Sequence, residues 1–279
     1  MATASDQLAP VVGPLWSHNC TFEELVVPFP VPETAEGLDT GVGWTRRWTA
    51  RWLTGKGEVI APVRDLAAFE WPRSRPARAF TWRPDQRHRP GLAFISATGR
   101  LHGFESLAER RVLLALDFEG GLTEVLSQPF TLRFTTRKRA VRHTPDFLVL
   151  TRGTALLIDV RPADLIKQED SLKFAAAHRA AAAAGWQYIV VAGWQLRPWA
   201  AIEAFSARRR AMSDPLGLLP ELLTLTAQQP RRLAELVAAT SRPVLARAYV
   251  LHLLWSRRLT MDVALPLGDG SWIHRPRRG

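Results

Sequence analysis

His143-Thr144-Pro145-Asp146-Phe147-Leu148-Val149-Leu150, then Thr151-Arg152-Gly153-Thr154, then Ala155-Leu156-Leu157-Ile158-Asp159-Val160-Arg161-Pro162: the reading of this stretch decides the fold. Two β-rich apolar runs flank an Arg-Gly pair, the pattern of a tight antiparallel hairpin, although arginine is an unusual first residue for a primed turn. With Thr151 facing Thr154 across a two-residue loop, the pairing carries back to place Asp146 directly opposite Asp159. Cross-strand neighbours have Cβ atoms about 4.5–5.5 Å apart, and like charges there destabilise a sheet unless something offsets them. A divalent cation is the usual offset, because hard ions such as Mg²⁺ take carboxylate oxygens and keep waters that a phosphate can displace. Arg161, two residues beyond Asp159, projects from the same face and is placed to hold that phosphate. The plainer alternatives are carboxylates at frayed strand ends in water, or a longer loop that shifts the register by one. Asp is depleted in strands, and two of them at matched positions favour the cation.

The bulk properties agree with a phosphate-bearing partner. The 279 residues are 47% hydrophobic, enough for a real core, and carry a formal net charge of +11 that comes from Arg far more than Lys. Nucleic acid is the leading partner class. The single cysteine, Cys20, excludes an internal disulfide and a Cys-rich zinc site. No apolar run is long enough to span a bilayer, and the first residues lack a signal-peptide layout, so the expected location is cytoplasmic with no membrane partner.

Outward from the hairpin, Phe104–Phe118 reads as a helix that starts near Gly103 and stops before Gly120-Gly121, with Ser106 too far inside to cap it. Glu105, Glu109, Val112 and Leu116 share one face of it, so Glu109 either snorkels at a rim or is aimed at a site. Leu122–Ser127 and Pro129–Thr135 read as strands, with Gln128 at a strand edge, and Arg137-Lys138-Arg139 forms a basic turn leading into the hairpin. His143 is odd in the register and should face away from the neighbours of Asp146, in a hydrogen-bonding role. Ala163–Ala184 is an Ala-rich helix closed by Gly185, and Tyr188–Ala192 a short buried strand.

Asp at the start of one strand and Asp-x-Arg at the end of the next, in this element order, resemble the PD-(D/E)xK nuclease superfamily. More closely, Phe104-Glu105-Ser106-Leu107-Ala108-Glu109-Arg110, Gln128-Pro129, His143-Thr144-Pro145-Asp146-Phe147 and Asp159-Val160-Arg161-Pro162 resemble TnsA-like endonuclease subunits of heteromeric transposases, over roughly residues 100 to 195. The resemblance implies an α/β, restriction-endonuclease-like core that hydrolyses phosphodiester bonds at transposon ends. It places the family's acidic ligands on Glu109, Asp146 and Asp159, its cofactor as Mg²⁺ or Mn²⁺, and its lysine on Arg161. Glu105, Gln128 and His143 become supporting candidates. Double-stranded DNA, a transposase subunit and an AAA+ ATPase regulator are the implied partners. The departure is Arg161: arginine stays protonated and orients or stabilises charge, whereas a lysine can also lose a proton.

Three regions follow: an N-terminal Pro/Trp/Arg-rich region over 1–95, the nuclease domain over 96–200, and a mostly helical, winged-helix-like domain over 201–279. In the first, frequent prolines argue against long helices. Its Arg run, including Arg87 and Arg89, either tracks a nucleic-acid backbone together with Arg137, Lys138 and Arg139, or is a solvated loop beside core tryptophans. In the last, helices over Leu218–Leu225, Pro230–Ala239 and Pro243–Trp255 precede Met261–Leu267 and Ser271–His274, which flank a Gly268-Asp269-Gly270 hairpin turn. Arg247, Arg257 and Arg258 are its candidates for DNA contact, with protein docking the equal alternative. Two other readings of the whole remain: a restriction or repair nuclease of the same fold, and a non-catalytic DNA-binding subunit with a decayed site.

Overall fold

A computed structural model describes residues 13–32, 37–71, 74–77 and 90–276. In chain order the elements are α1 (Phe22–Leu25), β1 (Val26–Pro28), α2 (Trp44–Arg47), β2 (Thr49–Thr54), β3 (Gly57–Pro62), β4 (Ser74–Arg75), β5 (Gly91–Ile95), β6 (Arg100–Phe104), α3 (Leu107–Glu119) and β7 (Leu122–Ser127). There follow β8 (Thr131–Thr135), β9 (Ala140–His143), β10 (Phe147–Thr151), β11 (Ala155–Val160), α4 (Gln168–Ala183), β12 (Gln187–Trp194), α5 (Leu196–Ser206), α6 (Leu218–Gln228), β13 (Arg231–Arg232), α7 (Leu233–Ala238), α8 (Pro243–Trp255) and β14 (Trp272–Ile273). It is a mixed α/β fold with several sheets, compatible with a nuclease-like architecture.

The chain divides into two compact units, Val26–Trp194 and Met1–Leu25 with Gln195–Gly279. The three consecutive regions drawn from the sequence are therefore redrawn. In the larger unit, one sheet runs β1-β12-β11-β10-β7, with β11 and β12 parallel and the other pairs antiparallel. The second runs β3-β2-β8-β9, with β4 added on β2. Strand β2 pairs with β8, Thr49 facing Arg133, so a segment assigned to the N-terminal region is completed by one assigned to the nuclease domain. Composition marks a Pro-rich stretch but says nothing of its distant strand partner.

The core of this unit explains the local sequence. Leu132 and Phe134 are fully buried on alternate positions of β8, as a one-sided strand requires. Trp48, Trp52 and Trp71 are buried with them, which makes these tryptophans core rather than stacking platforms. Ala175, Ala176, Ala177, Ala180 and Ala181 are fully buried on α4. Alanine favours helix and its small side chain lets the helix lie close against the sheet. Helix α3 begins three residues later than the sequence suggests, because Ser106 is its N-cap: the Glu109 N–H donates to Ser106 Oγ at 3.1 Å. It ends at Gly120 and Gly121, whose φ values of 73° and 74° make the tight exit into β7.

In the smaller unit, α6 is followed by β13, α7, α8 and β14, with β13 pairing β14 and Thr260 bridging His274. Met261–Leu267 is not the strand expected. Asp262 instead bridges Trp16, and the Val263 N–H donates to Leu15 O, because the segment around residues 15–17 supplies the backbone partner. Arg257, a candidate for DNA contact, is held at φ 57° and donates to His18 O and Cys20 O at 3.1 and 2.8 Å, which is a structural role.

Candidate active site

The β10–β11 hairpin has the expected register: Phe147 faces Ile158, Leu150 faces Ala155, and the Thr151 N–H donates to Thr154 O at 3.0 Å. At its open end the Asp146 N–H donates to Ile158 O at 3.0 Å, and Asp146 Oδ2 accepts from the Val160 N–H at 2.7 Å. The two aspartates thus lie beside one another, and neither is at a frayed end. Asp159 is 3% exposed.

Each carboxylate is met by protein donors. Asp159 Oδ2 takes both the Tyr188 hydroxyl at 2.5 Å and His143 Nε2 at 2.8 Å. Glu109, also buried, reaches back over the start of its own helix to accept from the Glu105 N–H at 2.7 Å and from the Ser106 hydroxyl at 2.9 Å. Asp146 keeps some surface as a residue, but its carboxyl is enclosed. Burial raises its pKa well above the usual carboxylate range, and the charges of Asp159, Glu109 and Glu105 raise it further against the opposing Val160 hydrogen bond. Burial likewise pushes the Tyr188 phenol up, with the Asp159 charge next in importance.

Among the described residues, no three His, Cys, Asp or Glu side chains are grouped so as to hold a metal ion. The predicted carboxylates gather electrostatically around Asp146, but each is engaged by a nearby N–H or O–H. In donor chemistry the set still suits a hard divalent cation. Burial is the first cause of the raised Asp146 pKa, and the repulsion from Asp159 and Glu109 that adds to it is what such a cation would relieve.

The remaining predicted residues are placed as follows. Arg161 does not lean on the carboxylate pair: its Nε donates to Leu165 O at 3.1 Å and lies 3.6 Å from Asp170. Asp170 also takes Lys173 Nζ at 3.0 Å and the Lys167 backbone N–H at 3.1 Å, which ties the Lys173 ammonium to the start of α4. Gln128 lies just past β7 rather than at an exposed edge. It is 2% exposed, has a left-handed φ of 48°, and donates its N–H to Asp146 O at 2.7 Å. His143 does not face away, because β9 belongs to the other sheet and the chain turns at Thr144-Pro145, so alternation does not carry across. Arg137, Lys138 and Arg139 are exposed at the β8–β9 turn. Arg87 and Arg89 lie outside the described residues.

Tyr188 escaped the sequence reading. Its signal is the parallel register in which Asp159 faces Val190, which puts Tyr188 two residues away on the same face of the neighbouring strand. The ring is backed by His178, stacked at 6.0 Å between centroids.

Strand β7 to strand β12 is the part that comparison recognises. Residues 122–193 match the family described as TnsA-like endonuclease N terminal. The matched segment contains His143, Asp146, Asp159, Arg161 and Tyr188, whereas Glu109 precedes it. It supports nuclease activity in a transposition setting. No curated protein matches the chain.

Proposed function

We propose that the chain is a metal-dependent DNA endonuclease subunit of a heteromeric transposase, with a PD-(D/E)xK-type site that hydrolyses phosphodiester bonds at transposon ends. The observation that carries this reading is the enclosed Asp146 carboxyl beside Asp159, both within the segment that matches the family, with its pKa raised first by burial and then by the charges of Asp159 and Glu109. Asp146, Asp159 and Glu109 are the residues that would hold Mg²⁺ or Mn²⁺. Bound there, such an ion supplies positive charge at the scissile phosphate and a lowered pKa for attacking water. The chain's own part is orientation. Tyr188 and His143 fix the Asp159 carboxylate, the Val160 N–H fixes Asp146, and the Glu105 N–H and Ser106 hydroxyl fix Glu109. Arg161 contributes positive charge rather than proton removal, as a guanidinium does.

A winged-helix reading of α6, β13, α7, α8 and β14 accompanies this proposal, supported by the order of elements and by β14 joining β13. A transposase subunit and an AAA+ ATPase are the proposed partners. A second reading, a non-catalytic DNA-binding subunit, draws on the same geometry: each acidic side chain already has a protein donor, and Arg161 is turned to Leu165 and Asp170.

Calorimetric titration of Mn²⁺ into the full chain, beside Asp146→Ala/Asp159→Ala, tests the choice. Binding in the wild type that the variant loses supports the nuclease and leads to cleavage assays with the partner proteins. Absence of binding both with and without a DNA duplex favours the non-catalytic subunit.

A further inference from the structure

The β8–β9 hairpin carries a second pair of like charges. Arg133 and Arg142 face one another directly across its ladder, and both are exposed. On that face of the sheet the register brings Thr49 beside Arg133 and Arg51 beside Thr131. Glu58, a carboxylate of that face, is taken by Arg51 at 2.6 Å. Among the described residues neither Arg133 nor Arg142 has an ion-pair partner. At the tip, Arg137, Lys138 and Arg139 are in the same condition. They line a cavity of about 550 Å³ with Lys173, which is tied to Asp170, and with Glu169, its one carboxylate among the described residues.

Opposed arginines are what a sheet avoids unless an anion sits between or beside them. Arg142 lies on the edge strand β9 and Arg133 on its neighbour β8, on the face opposite to His143, whose partner Leu132 is buried. From there β9 runs three residues back to the basic tip, roughly 10 Å at about 3.4 Å per residue. One strand of a duplex presents a charge about every 3.4 Å along the axis, so several phosphates fall within that span. Guanidinium groups match phosphate oxygens in a fixed fork, and a row of arginines reads backbone without reading sequence.

We propose that the β8–β9 hairpin is a backbone grip for duplex DNA, with Arg133 and Arg142 holding phosphates on its outer face and the tip cluster holding those farther along. The proposal rests on the nuclease reading only for the duplex as ligand, and its binding step requires no metal.

The test measures binding of the full chain to a labelled duplex of arbitrary sequence by fluorescence anisotropy, in chelator and over a range of KCl concentrations. The variants are Arg133→Gln/Arg142→Gln and, as a control with equal charge loss elsewhere on the same unit, Lys56→Gln/Arg152→Gln. All four positions are exposed, and thermal melts confirm folding. Each phosphate contact contributes about 0.9 to the slope of log K against log salt, so losing the arginine pair lowers the slope by about two while the control leaves it unchanged. An unchanged slope, an equal fall in the control, or no duplex binding by the wild type overturns the proposal. The slope is read in chelator with the carboxylates intact, so it carries no contribution from a metal, and the Mn²⁺ titration reports on the nuclease reading alone.

Discussion

Two neighbouring hairpins each place like charges side by side and settle the conflict in opposite ways. In β10–β11 the charges are acidic and enclosed, and the protein answers with Val160 N–H, Tyr188 and His143, and with a raised pKa on Asp146. In β8–β9 they are basic and exposed, and water and salt do the screening. The difference teaches that a like-charge pair is a structural commitment only where solvent is excluded. In the open it is a standing invitation to an anion.

Removing the acceptor in the closed hairpin is the largest perturbation. Asp159→Leu leaves the enclosed Tyr188 hydroxyl and the half-buried His143 without their shared partner, and loses about 3–5 kcal/mol of stability in urea denaturation followed by tryptophan fluorescence. A loss under 1 kcal/mol would show that the donors are not tied to Asp159. Tyr188→Phe keeps the ring against His178 and removes one hydrogen bond to a carboxylate, so it loses about 1.5–3 kcal/mol by the same measurement.

The third prediction concerns pH. Asp146 has a folded pKa above its ordinary 3.8, so the native state binds the proton more tightly than the unfolded chain. Its stabilising contribution is complete below pH 3.8 and is lost as pH rises through the folded pKa, at up to about 1.4 kcal/mol per pH unit. Denaturation midpoints across that window, without divalent ions, show a decline that Asp146→Asn removes. An identical pH profile in the variant would place the repulsion elsewhere. The smallest effect belongs to the open hairpin. Arg142→Gln relieves the facing charge and raises stability by about 0.2–1 kcal/mol at low salt, a gain that high salt erases.

How much of this was legible follows the range of the interactions. The register of β10–β11 depends on a two-residue turn, so Asp146 opposite Asp159 could be worked out from local sequence. The start of α3 is just as local, but Ser106 was passed over because Phe104 and Glu105 look helical, although Phe104 ends β6. His143 was misplaced because its strand belongs to a different sheet. Tyr188 was missed because its bond to Asp159 spans a parallel crossover, which no periodicity encodes. The unit boundaries failed for the same reason, since the partner of β2 lies beyond α3.

Strand β1 pairs with β12, Val26 against Trp194. The first strand of the larger unit is therefore joined by the last, and a growing chain cannot finish that sheet until synthesis has passed residue 194. Until then β1 waits as an unpaired strand, with chain-closure entropy against it. A chain truncated within β12 would leave β11 as an open edge, ready to add a strand from another molecule. The order of synthesis thus makes the completed acidic site one of the last things this unit acquires.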